Sequence, residues 1–92
     1  MPVKHVFEPI KTVVRDQGGV RITLMDGTRI GLPPTAQKQT EPVRPGMKAL
    51  LDLEDWNPVN GMARLHVFDR HHTVMTCGMG ADGCDIESPA LV

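Results

Sequence analysis

The chain contains no tyrosine, one tryptophan and two phenylalanines. Aromatic platforms on which single-stranded bases stack are therefore scarce. Its only serine, Ser88, stands near the end, so no Ser/His/Asp triad is visible. There are two cysteines, Cys77 and Cys84, seven positions apart. The close cysteine pair, roughly two to four apart, that marks many structural zinc sites is missing. Ten basic side chains face eleven acidic ones, so the basic excess usual in nucleic-acid domains is absent. No apolar run approaches the ~18 residues of a membrane span. The start, Met1-Pro2-Val3-Lys4-His5, shows no apolar core of a secretory signal, which leaves the cytoplasm as the expected compartment.

Ninety-two residues make one small domain. A chain of this size buries only about 60–65% of the surface its unfolded form exposes, which leaves little room for a large catalytic cleft. No nucleophile–base constellation is legible either, so neither an enzyme nor a cofactor is expected. The letters Gly78-Met79-Gly80-Ala81-Asp82-Gly83 match a phosphate-binding pattern, but no strand–turn–helix surrounds them. Asp82, Asp85 and Glu87 lack the spacing of a calcium loop.

What the chain does have is turns. Nine glycines and eight prolines punctuate short alternating segments, which suits a loop-rich β domain. Gln17-Gly18-Gly19 separates a first segment, His5 to Arg15, from a second, Val20 to Met25. Asp26-Gly27 separates the second from a third, Thr28 to Leu32. Asp-Gly between alternating runs predicts a type I′ hairpin turn, with positive φ at both central residues. Val20, Ile22 and Leu24 face one way, as do Ile30 and Leu32; Arg21, Thr23, Met25 and Arg29 face the other. The first segment does not alternate strictly, and Pro9 predicts a bend, at an edge or a bulge.

Pro33-Pro34 ends the pairing, and Thr35 to Arg44 reads as a polar connection with at most one helical turn at Ala36–Gln39. After Pro45-Gly46, Met47 to Glu54 places Ala49, Leu51 and Leu53 inward and Leu50 outward. A loop, Asp55 to Gly61 with a second hairpin signal at Asn60-Gly61, leads to Met62–Phe68. That strand buries Ala63, Leu65 and Val67 and shows Arg64, His66 and Phe68. Thr73 to Thr76 is a candidate sixth strand, and Cys77 to Val92 shows no useful period. The expectation is all-β: a five- or six-stranded barrel over residues 1–76, an OB-like or SH3-like meander, with an irregular Gly-rich acidic tail over 77–92. Closure suits so small a β domain because it removes exposed edges.

Three residue sets are candidates for function. Trp56, in a loop stiffened by Pro58, with Phe68 and Leu50 on strand faces, are apolar anchors for a protein partner; the competing role for Trp56 is to cap the core. Lys11, Arg15, Arg21, Arg29, Arg64 and His66 line a basic face for nucleic acid if their strands share one; ordinary solvated positions are the plainer account. His71, His72, Cys77 and Cys84 are the candidate zinc ligands, although neighbouring histidines in a strand point to opposite sides. A binding module that docks on a protein partner is the leading expectation. An OB-like nucleic-acid domain is the alternative, and a small zinc protein the third. Self-association stays open, as twofold pairing is the commonest closed arrangement.

Overall fold

The first strand organises the molecule because it belongs to two sheet halves at once. The computed structural model describes residues 5–91 and contains seven strands: β1 (His5–Asp16), β2 (Gly19–Leu24), β3 (Arg29–Leu32), β4 (Lys48–Asp52), β5 (Met62–Asp69), β6 (His72–Gly80) and β7 (Asp85–Glu87). They form one antiparallel sheet in the order β6-β5-β4-β1-β2-β3-β7. The early part of β1 pairs with β4, from His5 opposite Asp52 to Pro9 opposite Lys48. The later part pairs with β2, from Ile10 opposite Leu24 to Asp16 opposite Gly19.

Near the start of the later part the register slips by one residue at Lys11. The irregularity expected near Pro9 is therefore present, but two residues beyond the proline, which is neither at an edge nor in the bulge. Pro9 sits in a central strand without losing a ladder bond. Its carbonyl accepts from Met25, one residue past the end of β2, so the missing N–H faces a place where the ladder has stopped. The bulge bends β1, and the bend folds the two halves of the sheet around one core. Val20, Ile22, Leu24, Ile30 and Leu32 from one half meet Ala49, Leu51, Ala63, Leu65 and Val67 from the other in a single cluster. These are the residues that the alternation placed inward.

The all-β expectation stands, but closure does not. Among the described residues the sheet is open, with β6 and β7 at its two edges. They are consecutive in the chain, yet β7 is three residues long and pairs with β3, Ile86 opposite Ile30. The connection from β6 turns away through Ala81, whose N–H donates to the Gly61 carbonyl, so the chain changes sheet half instead of zipping the seam. The exposed edge of β6 is tied instead to the β3–β4 connection, where Gln39 Nε2 donates to the Thr76 carbonyl at 2.9 Å.

The segment expected to be an irregular tail is also ordered. Met75, Cys77 and Met79 alternate inward and complete β6, which runs through position 77; Ile86 is buried, and a 3-10 turn covers Pro89–Leu91. The pattern was hard to see because glycines at 78 and 80 replace the polar outward residues that usually reveal a strand. Met1 to Lys4 and Val92 lie outside the described residues.

The polar connection is more than a spacer. A 3-10 turn at Pro34–Ala36 runs into the single turn expected at Ala36–Gln39, closed by the Thr40 N–H donating to the Ala36 carbonyl at 2.9 Å. Ala36, Thr40 and Val43 are all buried. Thr40 meets its polar requirement locally, its hydroxyl donating to the Ala36 carbonyl at 2.8 Å. Arg15 donates to the carbonyls of Thr40 and Val43 at 2.6 and 3.0 Å, holding this segment over one end of the core. No helix among the described residues is long and apolar enough to cross a membrane.

Candidate docking groove

The outward face of β1, β4, β5 and β6 collects residues far apart in sequence into registered rows. Phe7 stands opposite Leu50, Leu50 opposite His66, and His66 opposite Thr76. In the next row Pro9 stands opposite Lys48, and Lys48 opposite Phe68. Side chains directly across neighbouring strands touch, so each row is a contact set. Phe7, Lys48, Leu50, Phe68 and Arg70 line a shallow groove of about 530 Å³.

Its apolar walls hold one another. The Phe7 and Phe68 rings meet edge to face, centroids 6.4 Å apart and planes at 73°, the arrangement favoured by the ring quadrupole. His66 lies nearly parallel to Phe68, at 20° and 6.5 Å, and its Nδ1 is 3.3 Å from the Thr76 hydroxyl. The Lys48 ammonium stands over the Phe7 ring, 5.7 Å from its centroid. Phe7 is still 54% exposed, more than an aromatic ring on a finished surface needs.

Charge is distributed unevenly around the groove. Among the described residues the ion pairs are His5–Asp52, Arg21–Asp16 and Arg29–Glu87; Lys48, Arg64 and Arg70 join none of them. No carboxylate among the described residues lines the groove; Asp69 lines the adjoining hollow, which shares Lys48, Phe68 and Arg70 with the groove. Arg70 occupies the two-residue turn between Asp69 and its partner His72. With φ of 59° it is the one non-glycine among the described residues in the left-handed region.

Of the expected anchors, Leu50 and Phe68 come together in this groove and Trp56 does not. Trp56 is half-buried, packs against the core, and lines a separate hollow with Ile86 and Leu91. The indole thus packs on the core as a cap would, with part of its surface open to two hollows. The residues missed were Phe7, Lys48 and Arg70. Phe7 was legible in principle: Val6 and Ile10 lie before the bulge and share one parity of the alternation, which puts Phe7 on the outward face. Arg70 carried no signal, since only the turn geometry brings it to the groove.

The six basic candidates are divided between sheet halves. Arg64 and His66 lie on the face just described, whereas Arg21 and Arg29 lie on the outward face of β2 and β3. Both halves turn their inner faces to the same core, so these outer faces look away from each other. Arg21 pairs with Asp16 at 2.8 Å, Arg29 with Glu87 at 2.6 Å, and Arg15 is bound to carbonyls. Lys11 is exposed at the bulge. The six do not form one surface.

The four candidate metal ligands are also separated. His71 stands in the β5–β6 turn and His72 opens β6, whereas Cys77 lies five residues further along β6, roughly 16 Å from His72 at the usual rise of a strand. Cys77 and Cys84 are both free thiols, and burial pushes each of them up. At Cys84 the neighbouring Cys77 and Asp85 add to the rise, and a backbone hydrogen bond from Gly80 opposes it. Donor atoms do converge at His5, Asp52 and Glu54, within 4.8 Å of one another. The 3.6 Å His5–Asp52 contact and the Glu54 N–H donated to Asp52 account for that surface cluster without an ion.

The chain matches no known protein family, no curated protein and no solved structure.

Proposed function

We propose that the protein is a non-catalytic binding module that docks on a protein partner through the groove between Phe7, Leu50 and Phe68. The observation that carries this reading is the concentration of one exposed phenylalanine, Phe7, with a half-buried phenylalanine and a half-buried leucine on an outward strand face, where alternation normally puts polar groups. Binding energy concentrates in a few apolar anchors surrounded by polar groups that exclude water, and the groove offers both. Trp56 contributes to the fold, not to the contact.

A nucleic-acid ligand has less to draw on. The aromatic faces are engaged by Lys48 and His66, the two phenylalanines are not coplanar, and the arginines of β2 and β3 have carboxylate partners. The test is affinity capture with the full chain from cells that make it, with and without nuclease, comparing the native protein with Leu50→Glu. A nuclease-resistant protein partner, captured near stoichiometry and lost with folded Leu50→Glu, is the expected result. A partner retained by that variant, or recovery that collapses with nuclease, overturns the reading.

A further inference from the structure

Resting on that reading, we propose that the groove recognises an extended peptide segment carrying an aspartate or glutamate beside a bulky apolar residue. The apolar side chain seats on Leu50 against the edge-to-face phenylalanine pair, and the carboxylate meets Arg70 and Lys48.

Charge complementarity commits the occupant. The groove has two cationic side chains at its rim, neither in an ion pair among the described residues, and no lining acid among them. An apolar ligand alone would leave both cations without a counter-charge, whereas a carboxylate supplies charge-assisted hydrogen bonds to Arg70 and a counterion to Lys48. A second copy of the chain is disfavoured on the same ground. A twofold contact centred on the groove itself brings Lys48 and Arg70 of both copies together, and like charges across an interface repel.

Arg70 points the same way independently. The first residue of a two-residue hairpin loop takes positive φ, and glycine, asparagine or aspartate fills it with least strain. An arginine there, at φ of 59°, breaks the local rule while placing its side chain along the groove. Such departures concentrate at binding sites, where the conformation serves something other than the fold.

The experiment is selection of a random linear peptide display library on the full chain. Selected peptides are then synthesised and their affinities measured for the native protein, Leu50→Glu, Phe7→Ala, Lys48→Met, Arg70→Gly and Arg21→Gln. The expected peptides carry Asp or Glu next to Leu, Ile or Phe. Arg70→Gly and Lys48→Met weaken them about tenfold or more, a loss typical of a charged hydrogen bond, and Arg21→Gln leaves them unchanged. Phe7→Ala, at an exposed position, repeats the groove test should Leu50→Glu fail to fold.

Neutral or basic peptides that still need Leu50 and Phe7, or acidic ones indifferent to Arg70 and Lys48, overturn this inference and leave the docking groove intact. Peptides indifferent to both groove variants, or no peptides at all, overturn the groove and the inference together. A dimer that Leu50→Glu dissociates, or a twenty-nucleotide oligothymidylate bound at the groove, overturns the acidic-peptide assignment in favour of that occupant.

Discussion

Phe7 and Phe68 meet edge to face across Leu50, bringing the first strand and the fifth together on the outside of the protein. The contact exists because β4 lies between β1 and β5, in a register that puts all three side chains on the same face.

Phe7→Ala removes a half-exposed ring, so its cost to folding stays within about 1 kcal/mol, as for most surface changes. Its cost to partner binding is larger, more than about 1 kcal/mol if the ring is an anchor. Denaturant unfolding and titration with the partner, run side by side, measure the two. Equal stability and unchanged affinity remove Phe7 from the interface.

Trp56→Ala has the opposite profile. Full truncation of a buried large aromatic costs about 3–5 kcal/mol, and a half-buried indole stands near the lower end or below it, at about 2. The midpoint of urea unfolding drops accordingly, and groove binding by the folded fraction is unaltered. A binding defect without loss of stability reverses the assignment of this residue to the core.

Arg70→Gly relieves the left-handed backbone at the β5–β6 turn. The gain is modest, about 0.5–1 kcal/mol, because glycine also adds freedom to the unfolded chain. Thermal unfolding rises by a few degrees, the shift typical of that energy in a small domain. A fall instead shows that the Arg70 side chain supports the fold.

Two loop glycines separate strain from space. Gly27 has φ of 95° and open space where a methyl group would go, so Gly27→Ala costs about 1 kcal/mol in backbone conformation alone. At Gly61 a Cβ lands 2.0 Å from the Asn57 backbone nitrogen. That loop is built on Asn57, whose side-chain oxygen accepts from the N–H groups of Val59 and Asn60. Gly61→Ala therefore disrupts the loop and costs more than Gly27→Ala, a ranking that unfolding curves check directly.

The thiols set an alkaline limit. Burial raises both Cys77 and Cys84 above their ordinary value, so the folded protein holds thiol protons that the unfolded chain releases. Their contribution is fully present below the thiol's ordinary pKa and is lost as pH rises from there through the raised values. Stability between about pH 7.5 and 10, measured under reducing conditions across the ordinary thiol range, declines less for Cys77→Val with Cys84→Ser than for the native chain. Parallel pH profiles show that other groups govern the decline.

Neither hairpin signal adopts the turn that its residues suggest. At Asp26-Gly27 only the glycine has positive φ, and the Gly27 N–H donates to Leu24 while Leu24 N–H donates to Thr28. This is a three-residue loop with the glycine in the bulge position, not a type I′ turn. Thr28 explains part of the difference: its buried hydroxyl reaches both Asp26 and Ser88, tying the loop to the end of the chain. At Asn60-Gly61 neither residue has positive φ, and Asn57 does the turning.

The alternation of Val20, Ile22 and Leu24, of Leu51 and Leu53, and of Ala63, Leu65 and Val67 was sufficient to place the core, because the two-residue period of a strand is a local property. The irregularity near Pro9 was legible as well, but not its place at Lys11. Which strands lie side by side was decided only in three dimensions. β7 pairs with β3 instead of β6, so the sheet stays open, and β4 inserts between β1 and β5, so a groove forms. Both outcomes are long-range pairings whose partners no local pattern names. The groove's cations follow the same logic, since Arg70 lines the groove with Phe7 and Leu50 only because β5 pairs with β4 and ends in the turn that carries it.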